Sequence, residues 1–191
     1  MSSPILARAA SRRAFLAVLG AGAAAPLAAG CGSSTRSGPR PASDRPRELA
    51  VLNRALRLEY TLQAAYRQGE PLAHGRTATL IRRFIEQEHA HADRLQRLIQ
   101  QLGGQPSQPL LRQEYLREFP ALRRQRDVLL FAADLEELAV RTYVQALRQI
   151  SDPGLRRVAG SIATSEAEHL AVVRGGLGRE QAPATFVTGV S

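Results

Sequence analysis

Hydrophobic residues recur at spacings of three and four along four long stretches of this chain, at about 47–68, 76–103, 121–150 and 153–178. That is the period of a helix with one buried face, and no strand-like alternation competes with it. The punctuation agrees. "QGEP" closes the first stretch, "GGQP" closes the second, and "SDPG" at 151–154 separates the last two, with Asp152 expected as N-cap and Pro153 as the first helical residue. Helices of about 22 to 30 residues would be roughly 33–45 Å long, which suits a bundle. Short links join the first helix to the second and the third to the fourth, predicting two antiparallel hairpins. Residues 104–120 form a longer link. Extended chain of that length covers about 55 Å, enough to run the height of the bundle and set helices two and three parallel. The "LLRQEYLREF" portion of this link has the makings of a short helix across the bundle.

Polar residues interrupt the apolar stripes at matching places. In the third helix the stripe runs Leu129, Ala132, Ala133, Glu136, Val140, Tyr143, Leu147, Ile150, so Glu136 stands in a core face. Glu137 falls instead with Asp134, Arg141 and Arg148 on a solvated stripe, where a pair with Arg141 is expected. The first helix repeats the arrangement with Leu52, Ala55, Leu56, Glu59, Leu62 and Tyr66. In the fourth, Ile162 leads to Glu166, then His169 and Leu170. The second helix contains two overlapping Glu-x-x-His spacings, Glu86 with His89 and Glu88 with His91. Its stripe, Ile81, Phe84, Ile85, Glu88, His91, Ala92, Leu95, selects the second pair and leaves Glu86 and His89 in a polar row with Arg82, Arg83 and Asp93. His74 and His89 have no partner at a meaningful spacing and read as surface residues.

An internal repeat makes the same choice on different grounds. Glu59 to Glu136 and Tyr66 to Tyr143 are shifts of 77, while Glu88 to Glu166 and His91 to His169 are shifts of 78. Four carboxylates and two imidazoles therefore converge inside one apolar core, where unpaired charge is very costly. Two divalent cations would neutralise them, and this donor set suits Fe or Mn. The alternative is that the acids stay neutral by protonation and serve the bundle alone.

These six residues resemble the ligand set of the ferritin-like superfamily: one Glu from each of two helices and a Glu-x-x-His from each of the other two, in a bundle with one long crossover. The resemblance covers about 47–178 and implies an all-α, ferritin-like four-helix bundle. It further implies that Glu59 and Glu136 are terminal ligands, that Glu88 and Glu166 bridge, and that His91 and His169 each bind one metal. Tyr66 and Tyr143 resemble tyrosines that hydrogen-bond ligating carboxylates, or else are ordinary core aromatics.

Composition adds a location. The 191 residues carry a net charge of +9, and every basic residue is arginine. "SRRAFL" at 11–16, ahead of a short Ala- and Gly-rich apolar stretch, is similar to a twin-arginine export signal carried by Arg12 and Arg13, with recognition by the twin-arginine export machinery implied. "LAAGC" ends that stretch on the single cysteine and is similar to a lipoprotein processing site, although Leu27 lies one place further from Cys31 than usual. The expected organisation is a signal peptide over 1–30, a lipidated Cys31 with a flexible linker to 46, the bundle over 47–178 and a tail over 179–191. This places the protein at the outer face of the cytoplasmic membrane, or secreted if cleavage leaves no lipid. Removal of 1–30 lowers the charge to +6, which suits proximity to an anionic bilayer. Export and 5% aromatic residues argue against nucleic acid.

Three functions fit. One is a di-metal oxidoreductase acting on O₂ or peroxide (an oxidase, peroxidase or catalase-like activity), one is binding or oxidation of iron at the cell envelope, and one is a non-catalytic bundle for partner binding. A lipid tether disfavours a storage cage, and the lack of further cysteines excludes a rubredoxin-like electron-transfer module.

Overall fold

The computed structural model describes residues 44–183, and the proposed signal, Arg12, Arg13 and Cys31 lie outside them. Five helices and no strands occur among the described residues: α1 Asp44–Gly69, α2 Gly75–Gln101, α3 Arg112–Glu118, α4 Gln125–Gln149 and α5 Pro153–Gly176, with a 3-10 turn at Glu70–Leu72 between the first two. None of the described helices is long and apolar enough to cross a membrane.

Helix ends follow local chemistry. Asp152 is the N-cap of α5, its Oδ1 accepting from Leu155 N at 2.8 Å, and Pro153 occupies the first turn. α2 closes on Gly103 at φ 76°, with Gly104 N donating to Ile99 O at 2.9 Å, an end that glycine adopts without steric cost. Two starts differ from expectation. α1 is already helical at Asp44, the first described residue, and so extends into the expected linker. The third long helix begins at Gln125 rather than 121: Asp127 Oδ2 accepts from Arg123 N and Arg124 N at 3.1 and 3.2 Å and stops the chain one turn later than the apolar pattern suggested.

α1 and α2 form one antiparallel hairpin, α4 and α5 the other, and α1 packs closely on α4 while α2 and α5 touch little. Two polar clamps lock the hairpins in register. Buried Glu48 near the start of α1 accepts through Oε1 from Ser151 N and Asp152 N, at 3.1 and 2.9 Å, in the α4–α5 turn. Gln125, 77 residues later, accepts from His74 N at 2.9 Å in the α1–α2 turn. The crossover seals the α1/α4 face. Asn53 Oδ1 on α1 accepts from Ser107 N at 2.6 Å, and Tyr115 and Phe119 extend a ring contact to Phe131 on α4, with centroids 5.8 and 5.0 Å apart. This cover is why α1 and α4 are buried over a wider arc than their single stripes suggest, with Leu58 and Leu135 at 1% exposure or less. The opposite seam, between α2 and α5, has no such cover among the described residues.

Candidate metal centre

Each long helix delivers one carboxylate to the middle of the bundle, and α2 and α5 each add an imidazole one turn further along. Glu59, Glu88, Glu136 and Glu166 are fully buried, and the side chain of His169 is 3% exposed against 15% for His91. Helical geometry dictates this convergence, since residues three apart share a face.

The nitrogens and oxygens form two overlapping groups. His91 Nδ1 lies 2.9 Å from Glu166 Oε1, 3.3 Å from Glu88 Oε2 and 3.5 Å from Glu59 Oε2. His169 Nδ1 lies 2.9 Å from Glu88 Oε1, 3.4 Å from Glu166 Oε2 and 3.6 Å from Glu136 Oε1. Glu88 and Glu166 thus turn one oxygen to each imidazole. In each group the donor atoms lie within 4.8 Å of one another. Most of these approaches are not aligned as hydrogen bonds. Glu59 Oε2, Glu88 Oε1, Glu136 Oε2, both Glu166 oxygens and His169 Nδ1 are buried without a hydrogen-bond partner among the described residues. Lone pairs aimed at common points rather than at one another fit cations, and the donor set fits Fe or Mn.

Electrostatics reinforce the reading. Burial, then the carboxylate of Glu166, pushes Glu59 well above the usual carboxylate range. Burial likewise pushes Glu136 up, against the opposing pull of His169. Burial would raise Glu166 too, but the imidazoles of His169 and His91 outweigh it and hold that carboxyl at about 2. Burial acts to lower both histidines, yet the surrounding carboxylates lift each to about 12. Without cations, the cluster therefore holds protons on both imidazoles and favours them on Glu59 and Glu136.

The tyrosines reach across the bundle. Tyr66 on α1 donates its hydroxyl to Glu136 Oε1 on α4, and Tyr143 on α4 donates to Glu59 Oε1 on α1. Burial and the adjacent carboxylates raise both phenols well above their usual range, so they remain donors. Glu86, His89 and His74 are exposed as expected, but His89 does have a partner, Asp93 at 3.3 Å, one turn further along its polar row. Glu137 pairs with Arg174 of α5 at 3.8 Å, not with Arg141, because the neighbouring helix offers the guanidinium across the hairpin.

Three contributors escaped the sequence reading. Gln87 Oε1 lies 3.0 Å from His169 Nε2, fixing an N–H there and leaving Nδ1 toward the carboxylates. Phe84 packs on the same ring at 4.1 Å between centroids, tilted by 32°. Gln63 donates to the backbone oxygen of Glu88 at 3.2 Å. Gln87 carries no signal in its own helix, because its partner comes from α5. Buried Glu48 was likewise not expected, although its place one turn before Leu52, in line with the stripe of the first helix, was a signal for it.

The repeat shows how the two halves diverge. Shifted by 78, Phe84 becomes Ile162 and Gln87 becomes Ser165. Around His169 the seam is nearly filled, leaving a pocket of about 20 Å³ bordered by Phe84 and Val172. Around His91 it opens into a cleft of about 610 Å³ bordered by Ile162 and Arg94. Arg94 and Val172 are themselves related by the same shift.

With this geometry in place, the sequence matches the ferritin-like domain family over residues 47–179. The chain belongs to that family. Three solved structures share the ferritin-like fold. A conserved hypothetical protein from Mycobacterium tuberculosis is 13% identical at a TM-score of 0.62, over 69% of this chain and 97% of that one. A dodecameric thioferritin, the bacterioferritin-related protein of Bacteroides fragilis, is 20% identical at 0.62, over 71% and 86%. A ferritin-like diiron-carboxylate protein from Bacillus anthracis str. Ames is 20% identical at 0.60, over 70% and 97%. At these identities the ferritin-like architecture is what the chains have in common. No curated protein matches the sequence.

Proposed function

We propose that this ferritin-like bundle holds a dinuclear Fe or Mn centre and carries out redox chemistry with O₂ or peroxide, in a protein exported by its twin-arginine signal and anchored through Cys31. The observation that carries the reading is the convergence of four buried carboxylates and two imidazoles in two groups of donor atoms, most of those carboxylate oxygens and His169 Nδ1 having no hydrogen-bond partner among the described residues. Glu59 and His91 would hold one ion, Glu136 and His169 the other, and Glu88 and Glu166 would span both. Such a pair of ions supplies the electrons for reducing an oxygen species.

The side chains of the protein do the rest. Tyr143 occupies Oε1 of Glu59 and leaves Oε2 facing His91, whereas Tyr66 donates to the same Oε1 of Glu136 that faces His169 and so holds that carboxylate in place. Gln87 sets the tautomer of His169, and Phe84 keeps water from that half. The His91 half faces the cleft and is where a small molecule can arrive.

Charge balance favours the same account. Four carboxylates against two divalent ions are formally neutral, and the protons that the metal-free cluster keeps on His91, His169, Glu59 and Glu136 are what the ions replace. Metal analysis of protein folded in the cytoplasm tests it: near two ions per chain, falling close to zero in Glu88→Ala or Glu166→Ala. A folded bundle with no metal under several supplies would instead establish the protonated network as purely structural. Sustained turnover of peroxide or O₂ without net uptake identifies an enzyme, whereas stoichiometric Fe(II) oxidation with retention identifies iron handling.

A further inference from the structure

The α2/α5 cleft is more than a gap in the packing. Its floor is apolar, formed by Leu98, Leu155 and Ile162, which are 7%, 5% and 4% exposed. Its rim is basic, with Arg94 on α2 and Arg157 on α5 both exposed. Neither guanidinium meets a carboxylate among the described residues, and neither has an acidic residue three or four places away on its own helix. The one acidic residue on the lining, Asp152, has its Oδ1 engaged by Leu155 N; that oxygen and Arg157 Nη2 both border Gly154 but form no ion pair. Arg94 sits one helical turn from His91, so whatever the arginines hold lies beside the open half of the centre.

The corresponding end of the seam shows what a closed version looks like. There Val172 stands in place of Arg94, Thr79 in place of Arg157 and Phe84 in place of Ile162, and little space remains. Cationic rim and open volume occur together, on the same side, in a molecule whose two halves otherwise repeat. At about 610 Å³ the cleft is within the range of small-molecule sites.

We propose that this cleft binds a small amphiphilic anion, an oxyanion head held by Arg94 and Arg157 and an apolar body laid on Leu98, Leu155 and Ile162. A guanidinium pair takes a planar carboxylate or a phosphate monoester by charge-assisted hydrogen bonds, and an apolar floor discriminates against inorganic anions. The bound molecule stands in the approach to His91 and controls what reaches that half; this consequence rests on the metal-centre reading, whereas the binding does not.

Calorimetric titration of the metal-loaded protein with decanoate, decyl phosphate, decanol, acetate and inorganic phosphate tests the proposal, with metal content measured in every sample. Decanoate or decyl phosphate, whichever head is preferred, binds at least about tenfold more tightly than decanol and than the matching short anion, acetate or inorganic phosphate. The Arg94→Gln/Arg157→Gln variant keeps its metal and loses about tenfold or more of that affinity. Equal binding by parent and variant, or no binding of either amphiphile by the parent, overturns the proposal while leaving the metal reading intact. Arginine-dependent binding in protein that takes up no metal supports the cleft and removes the metal centre instead.

Discussion

The two ends of the α2/α5 seam surround one set of donor atoms and treat it differently. At one end His169 is 3% exposed, packed on Phe84 and held by Gln87; at the other His91 is 15% exposed and forms part of a cleft. The donor distances do not share this difference, since both Nδ1 atoms have nearest carboxylate oxygens at 2.9 Å and both imidazoles are lifted to about 12. Binding chemistry is thus duplicated while access is not. On the proposed function, duplicated ligands with divergent surroundings would let two bound ions exchange at unlike rates.

The largest effect comes from breaking the closed end. Phe84→Ala removes a 5% exposed ring from the core and should cost about 3–5 kcal/mol of stability, read by denaturant unfolding. In whatever fraction stays folded, the His169 half should release its ion to chelators as readily as the His91 half. Ile162→Phe makes the converse change and should slow release from the His91 half, with stability moved far less.

Next in size is the tautomer support. Gln87→Leu should weaken the ion at His169 by roughly 10–100-fold and leave the ion at His91 nearly untouched, which competition with a calibrated chelator resolves. A loss shared equally by both ions would mean that the halves are coupled more tightly than their separate surroundings suggest.

Acid should erase the asymmetry rather than reveal it. Each imidazole must be neutral to bind, and each is lifted to about 12 in the metal-free cluster, so protons compete with ions at both halves across the neutral range. Affinity therefore falls as pH falls, by about tenfold per pH unit for each proton displaced, with both ions affected together. Loading at neutral pH should release at least the two protons held by His91 and His169, measurable in weakly buffered solution. Smallest of all is His89→Ala: exposed and paired with Asp93, this residue should leave metal content unchanged.

The bundle and the cluster were largely legible because periodicity and the repeat report on the same faces. The interruption of apolar stripes at Glu59, Glu88, Glu136 and Glu166 distinguished buried acids from Glu86 and Glu137 before any coordinates. What sequence did not show depends on which helix lies opposite. Gln87 acts through α5, Arg174 draws Glu137 away from Arg141, and the crossover buries Leu58 and Leu135, which no single stripe predicts. The asymmetry itself was written in the chain, as Phe84 against Ile162 and Arg94 against Val172, but its meaning needed the knowledge that these positions border the seam.

A chelator time course on fully loaded protein, with metal content followed to completion, tests the central claim most directly. Two ions per chain should leave in two phases of equal amplitude, and His91→Ala should abolish the fast phase while keeping the slow one. Release in a single phase would contradict one-sided access, and a starting content near zero would contradict the centre altogether.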